Sequence, residues 1–359
     1  MIFAKWLTRT VIAALALLLL ALITGFIYEQ IGRNEDARRL PSRIGQAVNL
    51  GGRTLNLYCS GQGSPTVVFE TGGNDTGYDW SLLQPKVAQF TRACWYDRAG
   101  VGWSDPPLTP RTSASVVGDL HELLSRAGVA PPYVLVGASI GGEYARVYAG
   151  RYPQDVAGLV LLDSSHPDQR EPAFMQSAFN LMSPGKRHLI CVGLPFMARF
   201  GILRFIANRM RGPAPSQSSE RLEVLQELNS RPIAMRVDAE QTCAATDSGR
   251  FVPASGTGNP ELDNAARSAG TLGDHPLIVL TAGRYWAPPR FEKEAAEYHE
   301  VWIHQLQASL ARLSTHGKQV VVDAHHNMDE APDAVLNSIQ EVVSDVRAED
   351  AHTRVQFAK

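Results

Sequence analysis

Cysteine is scarce in this sequence: four occur in 359 residues, Cys59, Cys94, Cys191 and Cys243. None sits at metal-ligand spacing from another, so a zinc ribbon or finger is excluded. An excess of basic residues is also missing, with 34 Lys and Arg against 36 Asp and Glu and a formal net charge of −2. Nucleic acid demands a cationic footprint and is therefore not an expected partner. Internal repeats and long low-complexity tracts are missing too, which argues against a repeat array or a disordered chain.

What is present is the composition of a globular protein. Hydrophobic residues make up 44% and charged residues 19%, enough for one large domain or two modest ones. The long apolar run lies at the start, where Thr10 to Tyr28 (TVIAALALLLLALITGFIY) carries no charge. At ~1.5 Å rise per residue it makes a helix of roughly 28 Å, close to the hydrocarbon thickness of a bilayer. Lys5 and Arg9 precede it as in a signal peptide, but no small-x-small cleavage site follows, so an uncleaved membrane anchor is favoured. Positive charge sets Lys5 and Arg9 against Arg33, Arg38, Arg39 and Arg43, and alone would keep the body cytoplasmic. The even number of cysteines leans towards export, since an oxidising compartment could pair them, although four free buried thiols would be equally ordinary.

After a charged linker, short apolar runs alternate with helical patterns. TLNLYCSG alternates apolar and polar residues like a half-buried strand, whereas TVVFETGG and YVLVGAS are continuous runs suited to strands buried on both faces. Between them SVVGDLHELLSRAG (Ser115 to Gly128) has helical spacing and a glycine stop. Further strands are expected in AGLVLLDSS, HPLIVLTAG and KQVVVDA, the last followed by a helix in APDAVLNSIQEVVSDV. Such alternation predicts an α/β fold with a mainly parallel sheet and helices on both faces. The stretch between Asp163 and His275 is too long for a loop and rich in amphipathic pattern, so it reads as an inserted helical cap over the sheet's C-terminal edge.

One motif carries chemistry by its context. Gly137-Ala138-Ser139-Ile140-Gly141 matches G-x-S-x-G between a β-branched strand and a helix. Small residues on either side allow a turn tight enough to push the Ser139 hydroxyl out over the sheet and to aim the Ile140 N–H at an oxyanion. A G-x-G-x-x-G phosphate cradle does not fit here.

At this point the chain resembles the α/β-hydrolase superfamily, from about Val48 to Val346 apart from the cap. YDRAGVGWSDPP (Tyr96 to Pro107) is similar to the Asp-x-x-Gly-x-Gly-x-Ser segment after that family's fourth strand, with Asp97, Arg98 and Ser104 taken as structural. VVFETGGNDTGYDW occupies the place of its strand and His-Gly, with Thr71-Gly72 standing in, Gly73 as the second oxyanion amide and Trp80 where a tryptophan is frequent. The resemblance implies a base in VVVDAHHNMDEAP after the last strand, and setting the family's acidic residue and proline on Asp329 to Pro332 selects His325, with His326 pointing away. It implies an acid after one of two strands; the later loop offers only Glu292 and Glu294, so Asp163 is chosen over Glu292. The family's sheet order makes Cys59 and Cys94 neighbours, and Cys191 and Cys243 fall together in the cap, so two disulfides and an extracytoplasmic body are expected.

The division expected is an anchor (1–30), a linker (31–47), a hydrolase core in two parts (48–165 and 275–346), a cap (166–274) and a polar tail (347–359). The reading is a membrane-anchored serine hydrolase of the carboxylesterase or lipase kind. It would cleave an ester or related acyl bond of a small, hydrophobic molecule with Ser139, His325 and Asp163, without metal or organic cofactor. Ser139 excludes the aspartate nucleophile that the resemblance would otherwise allow. A cofactor-free peroxidase with the same triad, and a non-catalytic binding protein of the same fold, are the alternatives. The apolar cap stretch HLICVGLPFMARFGILRFI suggests a hydrophobic pocket.

Overall fold

A computed structural model describes residues 2–73, 75–109, 111–170, 172, 183–210, 220–229, 231, 233, 237 and 260–357. Eight strands form one sheet: β1 (Gln46–Asn49), β2 (Thr54–Ser60), β3 (Thr66–Glu70), β4 (Ala93–Tyr96), β5 (Tyr133–Ala138), β6 (Val156–Leu162), β7 (Leu277–Ala282) and β8 (Gly317–Val322). Their order is β1-β2-β4-β3-β5-β6-β7-β8, antiparallel for β1-β2-β4 and parallel from β4 through β8. This is the α/β-hydrolase fold, with the mainly parallel sheet that the alternation predicts.

Burial follows the side-chain pattern. The continuous apolar runs of β3 and β7 are buried at every position, and those of β5 and β6 at nearly every one, because helices cover both faces. One face packs on the helices Ser113–Arg126 and Ile140–Arg151 through Leu120, Leu123, Leu124, Tyr144 and Tyr148. The other meets the helix Pro332–Phe357 through Val335, Ile339, Val342, Val343 and Val346. The helix Ser113–Arg126 begins at Thr112, whose hydroxyl accepts from the Ser115 N–H, and the chain leaves it through Gly128 at φ 65°.

Cys59 and Cys94 are directly opposed on β2 and β4, with Cα atoms 4.1 Å apart, and form a disulfide. Cys191 is disulfide-bonded as well, while Cys243 lies outside the described residues.

The N-terminal apolar helix, expected as an anchor over residues 1–30, is longer than that. It spans Ile2–Arg39, with mean hydropathy 2.7 in its apolar window within Trp6–Asp36 and none of that window buried in the protein. It continues beyond residue 30 into the expected linker because Arg204, from the helix Ile202–Met210, binds Glu29 at 2.9 Å and Asp36 at 2.8 Å. Within the expected polar tail, residues 347–357 continue the helix Pro332–Phe357. Within the insertion, helices cover Pro184–Arg199, Ile202–Met210, Glu220–Asn229 and Pro260–Ser268. Arg221 donates to Ser81 Oγ and to the Asp79 carbonyl, tying one of them to the loop after β3, at the C-terminal edge of the sheet.

Candidate active site

Strand β5 ends in a turn that only small residues permit. A Cβ on Gly137 would lie 2.7 Å from the Gly141 carbonyl oxygen, and one on Gly141 would lie 2.3 Å from that of Thr71. Ser139 between them is held at φ 52°, ψ −126°, a strained conformation for a residue with a side chain. Its backbone is locked on both sides: the N–H donates to Leu162, and the carbonyl accepts from Gly142 and Ser165. The hydroxyl is thereby raised over the strand ends. Ile140 opens the following helix, so its N–H belongs to the first turn, whose amides have no acceptor within the helix.

Asp163 follows directly on β6 at φ 40° and is 3% exposed. Its Oδ1 accepts from the Ala282 N–H at 3.0 Å and the Trp302 Nε1–H at 2.8 Å. Its Oδ2 lies 2.6 Å from His326 Nδ1, and His326 Nε2 lies 3.0 Å from Ser139 Oγ. An ionised carboxylate only accepts, so Nδ1 carries the imidazole proton and Nε2 is left to accept from the serine hydroxyl. The three residues form a continuous relay from buried carboxylate to raised hydroxyl, which can take a proton from Ser139 as it attacks an electrophilic carbon.

The structure brings Ser139 and Asp163 together with His326 and not with the expected His325. His325, expected as the base, bonds Glu330 and not Ser139 or Asp163, although its side chain is about as exposed as that of His326 (47% against 50%). Glu330 captures it twice, accepting from the His325 backbone N–H at 3.2 Å and bonding Nδ1 at 2.6 Å. Those bonds hold the Glu330 carboxyl below the usual carboxylate range. The chain bends after β8 and closes a turn in which the Met328 N–H donates to the His325 carbonyl, and that turn gives His325 to Glu330 and His326 to Asp163. Counting back from Pro332 assumed a loop of fixed length, and here it misses by one. Glu292 is exposed at the start of the helix Glu292–Val301 and takes no part in the relay.

Gly73 lies in the turn after β3, exposed, with open space where a Cβ would stand. A Cβ on its neighbour Gly72 would come 3.4 Å from Ser139 Cβ, so this loop borders the serine. Asn74, the competing amide donor, lies outside the described residues. Arg98 supports the loop from beneath: it donates to the carbonyls of Thr71 (3.2 Å), Gly72 (2.6 Å) and Gly73, and pairs with Glu70 at 3.1 Å. Burial raises the Glu70 carboxyl, against which the Arg98 charge and the Tyr96 hydroxyl bond work. Arg98 and Trp302 were not foreseen as parts of the site, because each acts through a contact remote in sequence. Asp97 and Ser104 are structural: Asp97 accepts from Gly77 N (2.7 Å), Trp103 N (2.9 Å) and Asn56 Nδ2 (3.1 Å), and Ser104 Oγ donates to the Asp97 carbonyl. Among the described residues no cluster of His, Cys, Asp and Glu suited to a metal ion occurs.

A family model described as alpha/beta hydrolase fold matches residues 65–185. The uncharacterized protein YbdG of Bacillus subtilis is 28% identical over 200 residues, 55% of this chain and 59% of its own length. The 2-hydroxymuconate semialdehyde hydrolase of a Pseudomonas species is 32% identical over 124 residues, 34% of this chain and 44% of that protein. A haloalkane dehalogenase loop variant from Bradyrhizobium elkanii superimposes with a TM-score of 0.58 at 21% identity, covering 86% of this chain and 98% of that one. Other solved neighbours are named as an epoxide hydrolase, an enol-lactonase and an esterase, so the likeness defines the fold and leaves the reaction open. The chain has the alpha/beta hydrolase fold, and the family model matches it over residues 65–185, about a third of its length.

Proposed function

We propose that this protein is a membrane-anchored serine hydrolase that cleaves an ester or related acyl bond. The observation that carries the reading is the relay of Asp163, His326 and Ser139, with bonds of 2.6 and 3.0 Å. Ser139 attacks the carbonyl carbon while His326 takes the hydroxyl proton, and Asp163 stabilises the imidazolium that forms. The negative charge that develops on the carbonyl oxygen is met by the Ile140 N–H and by the Gly73 N–H of the loop that Arg98 supports. His326 then delivers its proton to the leaving alcohol, and water repeats the sequence on the acyl-enzyme. A serine nucleophile argues against reactions that need a carboxylate in its place, and the complete relay argues against a protein that only binds.

The substrate is lipophilic in this reading. The cap stretch expected to line a pocket instead leaves Leu189, Val192, Phe196 and Phe205 exposed. Next to them Gly201 and Asn208 contact Tyr28 at the end of the anchor's apolar run. Such a face beside a membrane span suits a body resting on the bilayer, from which apolar esters would be drawn. The body is assigned to the extracytoplasmic side on the Cys59–Cys94 disulfide.

The test is turnover by the full chain in detergent of p-nitrophenyl esters of increasing acyl length, beside peroxide-dependent halide oxidation. Ester hydrolysis that is lost in Ser139→Ala and improves from acetyl to medium-length acyl groups is expected. Halide oxidation without ester turnover would overturn the assignment.

A further inference from the structure

The strongest feature outside the relay is a pocket lined by Arg53, Arg98 and Arg111 with Tyr96, Ser115 and Asp119. Ser139, Asp163 and His326 do not line it, but Arg98, which does, also bonds the Gly73 carbonyl. Two of the three cations have partners. Arg98 pairs with Glu70, and Arg53 with Asp119. Arg111 has no acidic partner among the described residues, although it is only 5% exposed. Burial and the Arg98 charge draw its guanidinium down to about 10, which still leaves it protonated at neutral pH.

Hydrogen-bond accounting points the same way. Four buried N–H positions on these residues, Arg53 Nη1, Arg98 Nε and Arg111 Nε and Nη1, lack an acceptor among the described residues. Buried guanidinium donors are costly to leave unmet, while Asp119 Oδ1 is engaged by Arg53 and both Glu70 oxygens by Arg98 and the Tyr96 hydroxyl. Surplus donors call for a ligand that accepts, and the buried Arg111 cation favours one that is an anion. The space admits an occupant of about the size of one water molecule.

We infer that this pocket binds one small monovalent anion, a halide or the head of a small carboxylate, held by Arg111 with help from Arg53 and Arg98. Occupancy neutralises Arg111 and fixes Arg98, the residue that supports the loop beside Ser139. The inference does not depend on the proposed reaction, and its test reads binding rather than turnover.

The test uses the full chain in detergent at constant ionic strength, replacing sodium gluconate stepwise by chloride, bromide or formate and following thermal unfolding. A ligand bound only by the folded state raises Tm saturably, here by about 2 °C or more as chloride rises from a tenth of its Kd to several times that value. Broadening of the chloride-35 resonance by the protein, reversed by bromide, is expected in parallel. Both effects are expected to vanish in Arg111→Gln. A response to formate without one to chloride assigns the site to a carboxylate. Indifference of the wild-type protein to all three anions would mean that water alone fills the pocket and would overturn the inference. An undiminished, saturable response in Arg111→Gln would overturn it equally, and the chloride-35 measurement on wild type decides the matter even if that variant does not fold.

Discussion

Replacing Asp163 by asparagine is the substitution whose outcome the geometry constrains most. Oδ1 accepts two N–H groups, from Ala282 and Trp302, and Oδ2 faces His326 Nδ1. An asparagine amide has one acceptor oxygen and one donor nitrogen. Its oxygen must take the Oδ1 position, since a nitrogen there would confront two donors. The NH2 group is therefore forced towards His326 Nδ1, which becomes an acceptor, and the ring proton moves to Nε2. An imidazole protonated at Nε2 cannot take the serine proton. Loss of the correct tautomer costs about 10⁴ in kcat in a serine protease with this relay, about 5 kcal/mol of transition-state stabilisation. Because both buried donors keep their acceptor, the fold should hardly change. The assay is p-nitrophenyl ester hydrolysis with Tm measured beside it. The expected result is kcat down by about 10⁴ with KM and Tm nearly unchanged. An Asp163→Asn protein that keeps a tenth or more of wild-type kcat would refute the tautomer argument.

Other substitutions test the scaffold. Glu143, fully buried four residues after the serine, is raised to about 8, first by burial and then by Asp263. A folded-state value above the unfolded one means that the protonated form is the compatible one. Its contribution is intact below the unfolded value of about 4.5 and is lost as pH rises through 8. Glu143→Gln should remove that decline, seen as a higher Tm than wild type at pH 9 and little difference at pH 5; an unchanged slope of Tm with pH would count against it. Reducing the Cys59–Cys94 bridge, which closes a separation of 35 residues, should cost ~3–4 kcal/mol on a chain-entropy estimate. Urea unfolding of the full chain with and without reductant would measure this, beside a Cys59→Ala/Cys94→Ala double variant that isolates the bridge from Cys191. Gly141→Ala would drive a Cβ into the Thr71 carbonyl and should cost both Tm and kcat; a variant with wild-type kcat would show that the turn relaxes freely.

Much of the architecture is legible in the residues because it rests on local rules. Continuous apolar runs mark β3, β5, β6 and β7, and the glycines around Ser139 announce a turn whose crowding the structure reproduces. The Cys59–Cys94 pairing follows from topology once the sheet order is known. What was illegible depends on partners distant in sequence. Helix Ile2–Arg39 outruns its apolar stretch because Arg204 reaches Glu29 and Asp36. His325 and His326 have the same strand behind them and the same loop ahead, and it is their bonds, His325 to Glu330 and His326 to Asp163, that separate them. Arg98 looks like part of a structural turn until its bonds to the Gly72 and Gly73 carbonyls are seen.

The central claim is that Ser139, His326 and Asp163 act together, and labelling of the folded full chain by a fluorophosphonate tests it most directly. The account predicts rapid labelling of wild type, none in Ser139→Ala, a loss of at least about 10³ in rate in His326→Ala, and nearly wild-type labelling in His325→Ala. Labelling that survives His326→Ala but disappears in His325→Ala would contradict it.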